Sequence, residues 1–463
     1  MKFRVLVAAS TLALTLGVAS AGSAHAQSIA QALAQAYDYA PDLQSALLSA
    51  KSSAEDIVRA ESAKRPTIGA SLGGNYNWAV GPGAVGPGGT NPSGAFAGSS
   101  TFNAGLSYNQ TVFDNFRTEA QIEAARAGAE AAEYQIRNTE QNVLLDVVQA
   151  YMDVLTGQQL LSLRQDNLTF FRAQLQSAED RLEVGEGTRI DVAQAEARLA
   201  QGDASYRAAL ASLEISQATF QRLVGAAPRN LSTSHNFGRL IPSTLQGAIA
   251  EAEAGHPAIL LAKAAIRAAQ AGSDAAQAAF GPTATVSGQV GTSYNTNTGP
   301  SGLSGQLGFQ VTVPIYAGGA LGAGVRKANL DQIRSEVDAM GAYDQVRAAV
   351  IAAWSGMQSA DAQITAAQAA VSAGQEVLEG VIQERDLGTR TTLEVLNAQA
   401  ELTTAREGLI NASSGKVVAT FSLLASIGRL TAGNLGLPVE VKTAVPYTQT
   451  VEDVWQELRT VVD

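Results

Sequence analysis

The chain has 463 residues, of which 46% are hydrophobic and only 16% are charged. It contains no cysteine, which excludes disulfides, thiolate metal sites, cysteine nucleophiles and an acylated N-terminal cysteine. With 31 basic against 42 acidic residues the net charge is −11, the opposite of the clustered Lys and Arg that nucleic-acid binding needs.

Lys2 and Arg4 precede an uncharged apolar run from Val5 to Val18, and Ala24-His25-Ala26 follows before Gln27. This pattern predicts a secretory leader over residues 1–26, since the run falls short of the ~20 residues a helical span needs. No later segment is long and apolar enough for a transmembrane helix, so any membrane span of this exported chain is expected to be β. Helical sequence then covers residues 28–64, interrupted at Pro41, where proline suits a first helical turn.

Pro66 opens a stretch of different character. Ile68, Ala70, Leu72, Tyr76 and Trp78 alternate with Thr67, Ser71, Asn75 and Asn77, and the alternation returns from Thr101 to Phe113. Two strands, 66–78 and 101–113, are predicted on that period of two. Between them the Gly/Pro-rich residues 79–100 read as a loop facing outside. No Asp, Glu, Lys or Arg occurs from Pro66 to Thr111. Soluble strands carry charges on their wet face, whereas lipid-facing strands exclude them, so these are read as transmembrane strands.

Two long helices follow, 114–184 and 188–223. Ile122, Ala125, Ala129, Ala132, Ile136, Val143, Val147, Ala150 and Val154 keep coiled-coil spacing, with Leu144, Val148, Tyr151 and Leu155 beside them as a second seam. Two seams mean a neighbour on each side, as in a closed ring of helices.

The second half repeats the first. GEGTRIDVAQAEARL, from Gly185 to Leu199, aligns with GTRTTLEVLNAQAEL, from Gly388 to Leu402, and the same offset pairs Tyr151 with Trp354 and Gly225 with Gly428. The chain therefore divides into the leader, a first repeat (27–225), a connector (226–243), a second repeat (244–428) and a C-terminal segment (429–463). The second repeat is expected to hold helices over 244–280, strands 282–295 and 302–316, and long helices 320–386 and 391–427. Residues 281–324 again carry no charge. Four strands cannot close a barrel and an open edge in lipid leaves backbone groups unpaired, so several copies must pool their strands; three would give twelve.

Enzymatic patterns are weak. His235 and His256 lack metal-ligand spacing, and His256 beside Pro257 reads as a helix-entry residue. Gly408 to Lys416 lacks P-loop spacing, and Ser413-x-x-Lys416 lacks its companion motifs. No cofactor or metal is expected. A self-sufficient porin and an exported coiled-coil rod are the competing readings; the long rods are superfluous to the first and the uncharged strands to the second.

The GTRT tip at Gly388 to Thr391, the E-V-L-N-A that follows it, the weaker tip from Gly185 to Val192 and the proline-opened strands together resemble the TolC family of outer-membrane channel-tunnels. The likeness covers essentially the whole mature chain. It implies an α+β membrane protein of a Gram-negative outer membrane: an internally duplicated homotrimer whose 12-stranded transmembrane β-barrel continues as a long periplasmic α-helical barrel. It further implies an exit duct of a tripartite export system. The duct's partners would be a periplasmic adaptor and an inner-membrane ABC or proton-driven transporter, and its cargo secreted protein, small molecules or both. The GTRT tip and the missing lipidation cysteine are closer to the secretion-type branch.

By position, Arg390 matches an arginine that helps hold the inner tips shut, and Glu394 an entrance carboxylate in a ring of three. Asn397 stands where a second ring of aspartates is common, and Arg385 where a tyrosine tether is common. Asp191 is the first-repeat counterpart of Glu394. Gly185, Thr188, Gly388, Thr389 and Thr391 form the tips that would meet the adaptor.

Overall fold

The computed structural model describes residues 27–80, 84–86, 89–91, 96–232, 237–452 and 454. The predicted leader, His235 and most of the tail after Glu452 lie outside the described residues. Two short helices come first, α1 (Ile29–Tyr39) and α2 (Pro41–Ser62), with Ser28 and Gln31 forming a capping box on α1 and Pro41 at the first turn of α2.

Strand β1 (Thr67–Val80) then pairs antiparallel with β4 (Phe96–Phe113), with a small hairpin of β2 (Ala84–Gly86) and β3 (Gly89–Asn91) between them. Both strands reach further than the alternation predicted, and part of the expected loop is strand. Glycine and alanine blur a period-two pattern without breaking a backbone ladder. β5 (Thr283–Asn295) pairs with β4, the two-residue β6 (Gly299–Pro300) folds onto the end of β5, and β7 (Ser304–Thr312) completes the sheet. β7 stops short of the expected residue 316; Pro314 has no N–H to donate to a ladder.

The long strands thus lie in the order β1-β4-β5-β7, and the two repeats join through β4 and β5. Their register sorts the side chains into rows. One face carries Gly69, Ser107, Gln289 and Gln306 in line, then Ser71, Gly105, Gly291 and Ser304. The other carries Ile68, Tyr108, Gly288 and Leu307, then Ala70, Leu106, Val290 and Gly305. Leu72 and Leu307 on that apolar face are 89% and 88% exposed in the single chain. Such a face needs lipid, and the edges β1 and β7 need partner strands.

At each strand-to-helix crossing two successive residues are left-handed: Asn115 and Phe116 at φ 55° and 66°, and Gly318 and Gly319 at φ 62° and 84°. The duplicated positions keep the conformation although only the second copy has the glycines that favour it. The first crossing is braced instead by Asp114, which accepts from the Thr118 backbone N–H at 2.9 Å, and by Asn115, which donates to the Ala278 carbonyl at 3.1 Å.

Below the sheet, α3 (Arg117–Glu183) and α4 (Arg189–Val224) form one hairpin. After a 3₁₀ turn (Phe237–Leu240), α5 (Leu245–Gly255) and α6 (Pro257–Ala278) repeat α1 and α2. The second hairpin is α7 (Ala320–Asp386) and α8 (Thr392–Ser426), followed by α9 (Ala432–Leu435) and α10 (Val445–Glu452). The 67 residues of α3 span about 100 Å at 1.5 Å per residue. Among the described residues no helix is long and apolar enough to cross a membrane.

The main core sits at mid-height, where α1, the ends of α4 and α8 and the segment around α9 close over α3, while α5 packs on α7 as α1 packs on α3. Leu144, Val147, Val148 and Tyr151 of both predicted seams are fully buried there. The buried Tyr151 hydroxyl lies 2.7 Å from the carbonyls of Gln27 and Ser232, tying the chain start to the connector. Glu140, also fully buried, accepts from the Ala432 N–H at 2.6 Å and from Arg137 at 3.2 Å. Burial raises its pKa above the usual carboxylate value.

Candidate functional site

The sites singled out in the sequence gather at the hairpin tips, at the far end of the rods from the sheet. Gly185 (φ 81°) and Gly388 (φ 80°) turn the chain in the left-handed region, where a side chain would be strained. Thr188 and Thr391 then cap α4 and α8, each in a capping box with the acid three residues on. Asp191 accepts from the Thr188 N–H at 3.1 Å, and Glu394 from the Thr391 N–H at 2.8 Å. The two acids thus start helices, a local duty their spacing encodes.

Arg390 joins the second tip together. Its Nε donates to Glu384 and its Nη1 to Glu394, both at 2.7 Å. The Thr391 backbone bond and the Arg390 guanidinium hold the Glu394 carboxyl down to a pKa of about 2. Within one chain, both ion pairs of Arg390 therefore fall on its own hairpin. Thr389 donates its hydroxyl to the Glu384 carbonyl at 2.8 Å, closing the same turn.

Arg385 is the buried member, 8% exposed on α7. It crosses to the other hairpin, donating to Gln174 Oε1 on α3 at 2.7 Å, while Asp386 neutralises it at 2.7 Å. Asn397 accepts from Arg198 of α4 at 2.8 Å. Arg385 and Asn397 are the residues that link the two repeats near the tips; Arg390, Glu394 and Asp191 are not. Gln174, Arg198 and Glu384 were missed in the sequence. Only Glu384, six residues before Arg390, had a local signal.

Above Arg385 the seam between α3 and the second hairpin alternates in chemistry. Phe170 packs on Leu378, Val395, Ala398 and Leu402. Next, the buried Asn167 accepts from Gln399 at 3.0 Å and from Thr403 at 3.2 Å. Then Arg164 pairs with Glu407 at 2.5 Å. On the outside, Val184 (72%), Ile190 (68%) and Leu387 (81%) leave apolar side chains exposed at both tips. Among the described residues no group of His, Asp and Glu could hold a metal ion.

A charge-free sheet with two open edges, set above paired helical hairpins some 100 Å long, defines one protomer of an outer-membrane channel-tunnel. The model of the outer membrane efflux protein family matches residues 21–226 and again 248–429, one match per repeat. The chain belongs to this family, the TolC-type channels of the Gram-negative outer membrane. It is 38% identical to the outer membrane efflux protein BepC of Brucella suis over 411 residues, 88% of this chain and 86% of that one. To the outer membrane protein TolC of Vibrio cholerae it is 26% identical over 348 residues, 72% and 78% of the two chains. A membrane protein from Pseudomonas aeruginosa has the same fold, with a TM-score of 0.76 at 20% identity over 86% of this chain and 90% of that one. In this fold three chains pool their strands into one twelve-stranded barrel continued by a helical barrel. The family serves transport across the outer membrane.

Proposed function

We propose that the protein is the exit duct of a tripartite export system, taking cargo from an inner-membrane transporter through a periplasmic adaptor to the exterior. The observation that carries this reading is the apolar crown at the tips. Val184, Ile190 and Leu387 are exposed at the end furthest from the membrane, where a stand-alone pore has no use for them. They flank Gly185, Thr188, Gly388, Thr389 and Thr391, which make the docking surface for the adaptor. Arg385, Arg390, Glu394, Asn397 and Asp191 form the gate region. Repeats 27–225 and 244–428 supply one hairpin each, and the connector 226–243 with the segment 429–463 braces them at mid-height.

The cargo is secreted protein, small molecules or both. The relative named BepC is called an efflux protein, which favours small molecules; the GTRT tip favours protein. Quantitative mass spectrometry of the medium of a deletion strain separates the two. Loss of one or a few proteins from the medium, with retention in the cells, identifies protein secretion. An unchanged secreted set together with new sensitivity to toxic compounds identifies efflux. The absence of both changes would overturn the duct reading.

A further inference from the structure

We propose that the barrel, from its outer mouth down to the row of Gln289 and Gln306, is an electrostatically neutral exit that passes solutes of either charge alike. The inference rests on the duct reading and concerns what the duct selects. Pores that discriminate by charge line their lumen with rings of ionised side chains. Here residues 66–113 and 281–325 contain no Asp, Glu, Lys, Arg or His. The absence therefore covers the lumen face, the lipid face and the outer connections together.

The register supplies the rest. The polar face, which the exposed leucines on the opposite side assign to the lumen, presents amides and hydroxyls beside glycines. Gln289 and Gln306 are direct cross-strand neighbours. Each primary amide both donates and accepts, so it offers a partner to a solute of either sign. The next row outward, Ser71, Gly105, Gly291 and Ser304, has almost no side-chain bulk. Three copies repeat this inclined row of serine and glycine around the lumen, with no ionised group in it to hold a charged solute.

The tunnel beneath is charged, so distance decides whether its field reaches the row. Gln289 stands six residues up β5 from Thr283. At about 3.3 Å per residue and a strand tilt near 40°, that is roughly 15 Å of height. Two Debye lengths at physiological salt come to about the same figure. At the β1 end of the row Gly69, four residues from Arg65, stands only about 10 Å above a charge, so the probes belong on β4 and β5. Charge discrimination is therefore left to the helical part of the duct.

The lack of cysteine makes a direct test simple. In trimers carrying Gln289→Cys as the single thiol, a cationic and an anionic thiosulfonate of similar size are applied from the outer face at physiological salt. Each rate is normalised to its rate with a free thiol. The expected ratio of the two rates is within about twofold, and a ratio beyond about tenfold in either direction, the scale on which charged clefts focus ions, overturns the proposal. Ser107→Cys, in the same row, gives a second reading should the first variant fold poorly. Labelling at Leu307→Cys with none at Gln289→Cys or Ser107→Cys would overturn the assignment of the faces. Gln306→Glu added to Gln289→Cys is expected to favour the cation several-fold, which shows that the assay responds to one charge per chain. Export in the deletion strain is a separate readout, so equal rates with no export phenotype would count against the duct reading alone.

Discussion

His256 caps α6 through its ring, with Nδ1 accepting from the Ala258 N–H at 3.2 Å. Protonation would abolish that acceptor. Burial lowers the imidazole pKa below its usual 6.5, and the Ala425 backbone bond opposes this only in part. A depressed histidine favours the fold in its neutral form. Its contribution is complete above the unfolded value near 6.5 and is lost as pH falls through the folded value. His256→Asn keeps a capping oxygen that does not titrate. It is expected to flatten the fall in thermal stability between about pH 7 and 5, by an amount on the scale of one cap, ~1 kcal/mol. An unchanged slope would place the acid sensitivity elsewhere. The residue's helix-entry role was legible in the sequence from Pro257 beside it; its burial was not, because the walls come from the end of α8.

The element scale is where the two hairpins meet. α7 and α8 are held to α3 by the rungs at Gln174, Phe170, Asn167 and Arg164, and the lowest is a single contact between Arg385 and Gln174. Arg385→Ala and Gln174→Ala are each expected to raise the conductance of the trimer in planar bilayers. The double variant should do no more than the stronger single one, because both remove the same contact. Additive increases would mean that the two side chains act apart. Higher up, Asn167 carries more of the fold than of the gate. Replacing it by Leu removes the 3.0 Å acceptor of the buried Gln399 amide and leaves it the longer 3.4 Å contact to Thr403, whose hydroxyl keeps the Gln399 carbonyl at 2.8 Å. A loss of about 1–3 kcal/mol is expected, which thermal unfolding would read. A change below ~0.5 kcal/mol, the range of an ordinary surface substitution, would show that water reaches the seam. Coiled-coil spacing marked both seams of α3 correctly, yet it named no partner, since alanine and leucine at these positions fit any neighbouring helix.

For the whole molecule, the upper half of α7 shows what the single chain lacks. Leu330, Ile333, Val337 and Met340 follow three-four spacing and are 54–69% exposed. This stripe is expected to lie against the neighbouring chain in the trimer, so Val337→Glu should shift the protein from trimer to monomer in native mass spectrometry. A variant that stays trimeric would move the seam to another face of α7. The duplication, the uncharged alternating strands and the proline entries at Pro41 and Pro257 were determined by the sequence alone. Each is a local rule, expressed within one turn or one strand, or a self-match along the chain. The capping duty of Asp191 and Glu394, read in the sequence as gate residues, emerged with the structure. The joining of β4 to β5, the pairing of Arg385 with Gln174 and of Asn397 with Arg198, and the burial of Glu140 were decided only by the tertiary structure. These contacts bring together residues far apart in the chain, and no periodicity in either segment specifies which distant surface will close over it.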